Sequence, residues 1–375
     1  MHEIGRREEL QLFLSYAAAN SARLAMQIAE RFPDAEEAFS EAKAHNAAAF
    51  DFVTERVRLR LFEAAGDGFL DSVCTWLTEN GVGVSIPAHE DYPKLLKEIH
   101  DPPTVLFYKG RLMPEPQLAI AVVGSRKCTR YGRDIAKLFS FDLAKRGATV
   151  VSGMALGVDA AAARGALDCA EADDPTIAVL GTGIDVIYPR ANEKLYYEII
   201  ERGSVVTEFW PGSAAVPEHF PMRNRIISGL SNGVFITEAA ERSGTSITAN
   251  CALEQGRDVF AAPGRITDEM SRGTNSLIQQ GAAKPVFCTA DILCEYGMAS
   301  EREKTARVRY AADTAQLTEL EKRITNALRT GEKDADELMD LLAVSATDLN
   351  CGLTALEFSG IIKPLPGRLF ALELQ

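Results

Sequence analysis

The stretch HFPMRNR, residues 219–225, carries the side chains of this 375-residue sequence that are best suited to bind a polyanion. It places the ring of Phe220 near two arginines, Arg223 and Arg225, that flank Asn224. Guanidinium groups form charge-assisted hydrogen bonds with phosphates, and an aromatic ring stacks on any nucleobase. The alternative is structural: the arginines pair with nearby carboxylates, and Phe220 belongs to the core. The strand-like run VFITEA further along predicts that the stretch is a loop entering an α/β layer.

Glycines and small polar residues recur where short β-branched runs of the sequence end. The candidate residues at these ends are Gly124, Ser125, Arg126, Ser152, Gly153, Gly157, Gly181, Gly183, Arg190 and Gly244. Because open parallel sheets bind ligands at the carboxyl ends of their strands, we expect these residues and HFPMRNR to share one rim. Glycine lets backbone N–H groups approach an anion, and helix N-termini add positive potential. The rim predicts a phosphate site, although glycines in SGMALGVD and GTGID also suit helix–strand packing.

Several kinds of enzyme site are missing from the sequence. It has no GxxxxGK[ST] phosphate cradle, no Ser–His or Cys–His arrangement, and five histidines without metal-ligand spacing. The acidic candidates Glu208, Glu238 and Glu254 cannot be paired as acid and base from spacing alone. We therefore predict binding without catalytic residues, metal or cofactor. A net charge of −13 disfavours coating of long duplex DNA, whereas a local cationic groove suits a short single strand.

Three zones position these residues. Residues 1–85 have apolar positions at helical spacing and predict a small helical module, which is SAM-like or helix-hairpin-helix-like. Residues 86–298 alternate apolar β-branched runs with helical stretches, which predicts an α/β domain with a doubly wound, Rossmann-like parallel sheet of six or seven strands. The charged segment 298–313 is expected to be a linker. Residues 313–375 read as three helices and a terminal hairpin, which predicts a winged helix.

The remaining composition indicates where the protein resides. The seven cysteines form no CxxC pair and their number is odd, which favours buried, reduced thiols and a cytoplasmic location. No apolar run approaches the roughly 18–20 residues of a membrane span, and the N-terminal segment does not resemble a secretory signal. We expect no association with a membrane.

The order of several motifs resembles the DNA-processing protein A family, DprA or Smf. The motifs are YPKLLKEIHDPPTVLFYKG, VVGSRKCTRYG, SGMALGVDAAA, VLGTGIDVIYPRAN, HFPMRNRIISGLS, SGTSITANCALEQGRDVFAAPG and SRGTNSLIQQGA, which together span roughly residues 90–285. The sequence departs from the family pattern at the acidic insertion AEADDP, residues 170–175. It also has AAANSAR in the first module where a helix-hairpin-helix would show glycines. These departures leave the central resemblance intact.

This resemblance implies a protein that binds single-stranded DNA, protects incoming DNA and loads the RecA recombinase during natural transformation or recombination. It also implies a homodimer formed through the Rossmann-like domain. The family's DNA-contacting positions correspond here to residues 124–126, to Arg190 and to residues 220–225. The candidate recognition helix of the C-terminal module, SATDLNCGLTALEFSG, has no Lys or Arg, so we expect this module to serve protein interaction or self-association rather than DNA binding.

Two other functions compete with this interpretation. SGTSITA and EQGR distantly resemble the loops of Rossmann-like nucleotide N-glycosidases, in which case the pocket holds a free nucleotide and Glu238 or Glu254 acts in hydrolysis. The second alternative is a purely structural dimerisation scaffold with a vestigial pocket.

Overall fold

The computed structural model describes residues 4–19, 21–241, 243–299 and 317–374. It divides into two compact units, Met1–Ile292 and Leu293–Gln375. Residues 300–313 of the expected linker lie outside the described part. No helix of the described residues has the length and apolar character that a membrane crossing requires.

Nine strands of the first unit form a single sheet. They are β1 Gly83–Ser85, β2 Leu106–Gly110, β3 Ala119–Val123, β4 Thr149–Ser152, β5 Thr176–Val179, β6 Ser204–Thr207, β7 Gly233–Ile236, β8 Asp258–Ala261 and β9 Lys284–Pro285. Their order is β1-β2-β6-β5-β4-β3-β7-β8-β9. The seven strands from β6 to β9 are parallel, which confirms the predicted doubly wound sheet. At one edge β2 runs antiparallel to β6, and β1 runs antiparallel to β2.

Strand β3 lies in the middle of the sheet and explains its topology. All five of its residues are buried, as expected for a central strand covered on both faces. From β3 the chain winds outward through β4, β5 and β6, and then returns to the other side of β3 to add β7, β8 and β9. The winding direction therefore reverses between β3 and β7. Open α/β sheets have a crevice at the carboxyl ends of the strands at such a switch point.

Helices cover both faces of the sheet. Those of the α/β region are α6 Lys94–Lys97, α7 Arg130–Lys145, α8 Val158–Asp168, α9 Glu193–Arg202, α10 His219–Gly229, α11 Gly244–Glu254, α12 Arg272–Gln279 and α13 Thr289–Leu293, and five others, α1–α5, precede them. On one face Ala163 of α8 and Ile199 of α9 pack on the sheet, and Phe139 of α7 stacks on Phe235 of β7 at 4.6 Å. On the other face Ile226 of α10 and Ala249 of α11 pack on the sheet.

Five helices precede the sheet, in the segment for which the sequence predicts a helical module. They are α1 Arg6–Ala18, α2 Ala22–Arg31, α3 Ala35–Lys43, α4 Glu55–Ala64 and α5 Phe69–Glu79. Their core is continuous with the sheet, because Leu12 and Phe13 belong to the same buried cluster as Phe107 and Val205. Trp210 joins the two regions by donating a hydrogen bond from Nε1 to Ser15 Oγ over 3.3 Å. The module is therefore packed on the α/β region within one unit.

The second unit contains α14 Glu319–Leu328, β10 Lys333–Asp334, α15 Ala335–Leu342, α16 Ala346–Phe358, β11 Ile362–Leu365 and β12 Leu369–Leu372. The three strands pair in the antiparallel order β10-β12-β11. Capping boxes begin α14 and α15, with Thr318 and Asp334 as the N-caps. The core of this unit includes Ile324, Leu338 and Leu353, one residue from each helix.

Candidate functional site

A cavity of about 680 Å³ opens at the switch point between β3 and β7. The loop after β3, the first turns of α10 and the start of α11 form most of its walls. Seven of the residues predicted from the sequence line it: Gly124, Ser125, Arg126, Phe220, Arg223, Asn224 and Gly244. Three of them follow β3, three belong to α10, and Gly244 begins α11. The topology of the sheet therefore brings together residues that are more than 100 positions apart.

The stretch HFPMRNR is helical, whereas the sequence predicted a loop. It begins α10 at His219, and Pro221 lies in the first turn, where a missing N–H costs no helical hydrogen bond. Successive residues of an α-helix are separated by about 100°, so residues spaced by three, four and seven share one face. Phe220, Arg223, Asn224 and Ile227 follow this spacing, and all four line the cavity.

Arg126 is an exposed cation of the cavity. Its side chain is exposed, and its guanidinium carbon lies 5.0 Å from the centroid of the Phe220 ring. Within the described part of the chain, no carboxylate pairs with it. Lys127 is also exposed and lines the cavity. A cation held over an aromatic ring and lacking an acidic partner keeps its charge available for an anionic ligand.

Arg223 is a buried wall residue and differs from Arg126 in that respect. Only 3% of it is exposed, and its guanidinium donates hydrogen bonds to the carbonyl oxygens of Gly153, over 2.6 Å, and Val179. Burial lowers the pKa of Arg223 to about 10, although the nearby Asp159 opposes this effect. Asp159 accepts hydrogen bonds from the N–H groups of Gly153 and Ala155, and burial raises its pKa. This pair therefore fixes the ends of β4 and β5 beneath the cavity.

Arg225 does not line the cavity. Two positions beyond Arg223 it lies about 200° further around the helix and therefore on the opposite side. There it donates to Glu208 over 2.6 Å and to Asp101 over 3.1 Å. Glu208 is 2% exposed, and its burial raises its pKa to about 7 in spite of Arg225. The pairing of an RNR arginine with carboxylates, which the sequence left open, is realised at this position.

Five other predicted pocket residues do not line the cavity: Ser152, Gly153, Gly157, Gly181 and Gly183. A Cβ on Gly153 would lie 2.6 Å from the Arg223 guanidinium, and one on Gly181 would lie 2.9 Å from Phe220 Cδ1. These two glycines make room for side chains of α10. Gly157 has φ of 80°, which favours glycine at the start of α8. Arg190 is exposed in a short 3₁₀ helix and is also outside the cavity wall.

Several residues that line the cavity were not among the candidate binding residues chosen from the sequence. The most prominent are Lys127, Asp159, Tyr188, Ser243, Thr245 and Thr248. Tyr188 is 45% exposed, and its ring centroid lies 5.6 Å from that of Phe220. It follows the third predicted strand, and an exposed aromatic residue at a strand end was the available signal. Thr245 and Thr248 lie one helical turn apart on α11, so they share a face.

None of the three acids singled out in the sequence lines the cavity. Glu238 is 2% exposed and accepts hydrogen bonds from the backbone N–H and the hydroxyl of Thr129, the N-cap of α7. Glu254 is exposed near the end of α11. Glu208 is paired with Arg225 on the other side of α10. Among the described residues, the carboxylate that does line the cavity is Asp159, which is already held by two backbone N–H groups.

Comparison with known proteins connects this geometry to a family. The family model for DNA recombination-mediator protein A matches residues 83–297. The DNA processing protein DprA of Streptococcus pneumoniae is 46% identical over 205 residues, which are 55% of this chain and 71% of that protein.

Two solved structures have the same fold. The X-ray structure of DprA from Streptococcus pneumoniae has a TM-score of 0.64 and 35% identity, covering 76% of this chain and 97% of that one. The structure of DNA processing protein A from Helicobacter pylori, described for its single-stranded DNA binding mode, has a TM-score of 0.51 and 29% identity. It covers 57% of this chain and 94% of that one. The match of the family model over more than half of the sequence shows that the chain belongs to the DNA recombination-mediator protein A family.

Proposed function

We propose that this protein binds single-stranded DNA in the cavity at the β3–β7 switch point. The observation that carries the proposal is Arg126, an exposed guanidinium without a carboxylate partner among the described residues, which lies over the ring of Phe220; Tyr188 contacts that ring. The first turn of α11 adds backbone N–H groups at Gly244 and Thr245, which line the same cavity. Cations and helix N-termini bind phosphates, and aromatic rings stack on bases.

The cavity suits a single strand better than a duplex. Duplex binding depends on a broad basic surface that contacts many phosphates, whereas this chain has a net charge of −13. The exposed cations of the site, Arg126 and Lys127, are confined to the loop after β3. The Helicobacter pylori relative, studied for its single-stranded DNA binding, supports the same ligand for this chain. Unpaired bases are free to enter a cavity that paired bases cannot reach.

Family membership suggests the partners. A recombination mediator delivers single strands to a recombinase, and RecA is the partner that we assign. A second copy of this chain would associate through the Rossmann-like region, where β9 forms an edge of the sheet and the adjacent Phe287 is 61% exposed. The helix and strand order of the second unit supports the winged-helix assignment for residues 313–375. The seven cysteines are free thiols, which supports a reducing, cytoplasmic compartment.

Fluorescence anisotropy with a labelled oligothymidine tests the binding function. We expect Arg126→Ala to weaken binding about tenfold or more, and to make the slope of log K against log salt less negative by about 0.7. Lys145→Ala is the matched control, because it removes the same charge at the far end of α7. Equal affinity for oligothymidine and for a duplex of the same length, or an Arg126→Ala variant that binds like Lys145→Ala, would contradict the proposal.

A parallel incubation tests the enzyme alternative. Nucleoside monophosphates are incubated with the protein, and free bases are quantified by liquid chromatography. We expect no base release above that of the buffer, because buried Glu238 is bound to Thr129, the N-cap of α7, and neither Glu238 nor Glu254 lines the cavity. Base release that is lost in Glu238→Gln or Glu254→Gln would establish the glycosidase instead.

A further inference from the structure

Trp210 lies in the loop after β6, and its side chain packs on the helical module α1–α5. Its ring meets the ring of Tyr16 in α1 edge-on, with 5.1 Å between the centroids. Its Nε1 donates a hydrogen bond to the neighbouring Ser15, which is itself buried. A second edge contact, at 5.6 Å between centroids, joins the same ring to Phe107 of β2. Trp210 is therefore a residue of the α/β region that is anchored in the module.

The two residues before Trp210 hold helix α10. Phe209 is 2% exposed and stacks on His219, the first residue of α10, at 4.0 Å between ring centroids. Glu208 accepts a hydrogen bond from Arg225, further along the same helix, over 2.6 Å. Consecutive Cα atoms are only about 3.8 Å apart, so a displacement of Trp210 moves Phe209 and Glu208 with it. Three adjacent residues thus connect the module to α10.

The backbone around Trp210 is fixed on both sides. Before it, Thr207 donates its hydroxyl hydrogen to the carbonyl of Thr182 over 2.8 Å. After it, Gly212 donates its N–H to Oδ1 of Asp185, also over 2.8 Å. Both acceptors belong to the loop after β5, so the segment is tied to a neighbouring loop at each end. A loop held in this way passes a displacement of Trp210 on to α10.

Helix α10 depends on this segment for the position of its first turn. Phe220, which lines the cavity, directly follows His219, and Arg223 and Asn224 line the cavity from the next turn. Neither Trp210 nor any described residue of α1–α5 lines the cavity. The module can therefore influence the cavity only through residues that lie between them, and the stack of Phe209 on His219 is such a connection.

We propose that Trp210 is a positioning residue through which the helical module sets the affinity of the DNA site. The inference rests on the proposed single-stranded DNA binding. The module anchors Trp210, Trp210 holds Phe209 against His219, and this stack keeps the start of α10 in its DNA-binding position. A coupling free energy between two sites is reciprocal, so DNA in the cavity also stabilises the contact between Trp210 and α1.

Hydrogen exchange of the full-length protein measures this reciprocity. We expect a saturating oligothymidine to slow amide exchange in α10 and, by about fivefold, in residues 12–18 of α1. In Trp210→Ala the slowing in α10 should remain and the slowing in α1 should be lost. Binding of oligothymidine with unchanged exchange in α1 would overturn the inference alone. Failure of the unmodified protein to bind oligothymidine would overturn the proposed function with it.

Affinity and salt dependence separate positioning from a DNA contact. Trp210→Ala is expected to bind oligothymidine about five- to tenfold more weakly with an unchanged salt slope, because no phosphate contact is lost. Trp210→Phe keeps an aromatic ring beside Tyr16 and loses the hydrogen bond to Ser15, so its affinity should stay within about twofold. Unchanged affinity in Trp210→Ala, or a reduced salt slope, would contradict the positioning role.

Phe50→Leu is the matched control, because it disturbs the module away from Trp210. Phe50 is fully buried and packs on Phe32 at 5.1 Å between ring centroids. We expect this variant to lose thermal stability and to bind oligothymidine within about twofold of the unmodified protein. A loss of affinity equal to that of Trp210→Ala would show that binding depends on the stability of the whole module, and the role of Trp210 would be wrong.

A double-mutant comparison tests the connection from Trp210 to α10. If Trp210 acts through the stack of Phe209 on His219, His219→Ala also weakens binding, and Trp210→Ala/His219→Ala binds no more weakly than the weaker of the two single variants. Losses that add in the double variant would contradict this connection. Thermal unfolding confirms that each variant is folded before affinities are compared, and the exchange measured on the unmodified protein depends on no variant.

Discussion

Replacing Arg225 with alanine distinguishes a positioning residue from a DNA contact. The sequence placed Arg225 beside Arg223 in the binding stretch, whereas the structure pairs it with Glu208 and Asp101 on the opposite side of α10. The same helix carries Phe220 and Asn224 to the cavity. Losing the pair therefore loosens the attachment of α10 to the sheet. We expect weaker oligothymidine binding without the loss of a phosphate contact.

The burial of Glu208 determines how much stability the protein loses in Arg225→Ala. Its pKa rises from an ordinary 4.5 to about 7, and this difference corresponds to about 3 kcal/mol of unfavourable free energy for the ionised carboxyl at neutral pH. Removing Arg225 removes the strongest opposing attraction. Breaking a buried pair costs roughly 3–5 kcal/mol, and protonation of Glu208 keeps the loss near the lower end. We expect Arg225→Ala to lower the free energy of unfolding by about 3 kcal/mol.

Urea denaturation and salt titration of binding measure the two consequences. We expect Arg225→Ala to bind about five- to tenfold more weakly than the unmodified protein with the same salt slope, whereas Arg126→Ala loses about 0.7 of that slope. The double variant Arg225→Leu/Glu208→Leu should regain most of the lost stability, because an apolar pair of similar volume leaves no buried charge. A salt slope reduced as in Arg126→Ala, or unchanged stability in Arg225→Ala, would refute the positioning role.

Three further predictions concern other parts of the molecule. Because the folded pKa of Glu208 exceeds its unfolded value, its contribution to stability is fully present at low pH and is lost as pH rises from about 4.5 to 7. Between pH 4.5 and 8, the free energy of unfolding of Glu208→Gln, measured by urea denaturation, should therefore rise by about 3 kcal/mol relative to that of the unmodified protein. A difference that stays constant with pH would contradict this. Gly181→Ala should displace Phe220 and lower the free energy of unfolding by about 1–3 kcal/mol, whereas Gly244→Ala, whose Cβ meets open space, should change it by no more than about 0.5 kcal/mol. Equal thermal stabilities of the two variants would contradict the close packing of Gly181 on Phe220. Truncation after Ala299 should leave oligothymidine affinity within about twofold, because residues 313–375 carry eleven acidic and six basic side chains; a tenfold loss in a folded, truncated protein would place DNA on that module.

The parallel part of the sheet could be predicted from the sequence because its strands lie in short apolar runs. Seven runs of the sequence contain the strands β3–β9: AIAVV, ATVVS, TIAVL, GSVVT, GVFIT, RDVFAA and KPVF. Burial of the central strands on both faces requires such uninterrupted apolar runs. The antiparallel strands β1 and β2 were not predicted. β1 has only three residues, and they lie within the segment assigned to the helical module. Its pairing with β2 is a tertiary contact across more than 20 residues, which local periodicity does not encode.

The rim of the cavity could also be predicted, but the roles of its glycines could not. The carboxyl-end rule brought Gly124, Ser125 and Arg126 to the same edge as α10, as the structure shows. Gly153 and Gly181 instead give space to Arg223 and Phe220. A glycine that faces a ligand and one that faces a side chain look the same in a sequence, because the distinction depends on what packs against the missing Cβ.

The two arginines of HFPMRNR have different roles because the segment is helical. If the segment were extended, Arg223 and Arg225 would point to the same side, since side chains alternate along a strand. In a helix the same spacing separates them by about 200°, so a single change of secondary structure moves one arginine from the ligand to the scaffold. The structure adopts the helical alternative: Arg223 supports the floor of the cavity and Arg225 ties the far side of α10 to Glu208. Arg126, from the loop after β3, supplies an exposed cation. The positive charge that the sequence assigned to four arginines of the rim, Arg126, Arg190, Arg223 and Arg225, is thus carried at the cavity by Arg126, together with Lys127. This is why the salt slope is expected to fall in Arg126→Ala and to stay unchanged in Arg225→Ala.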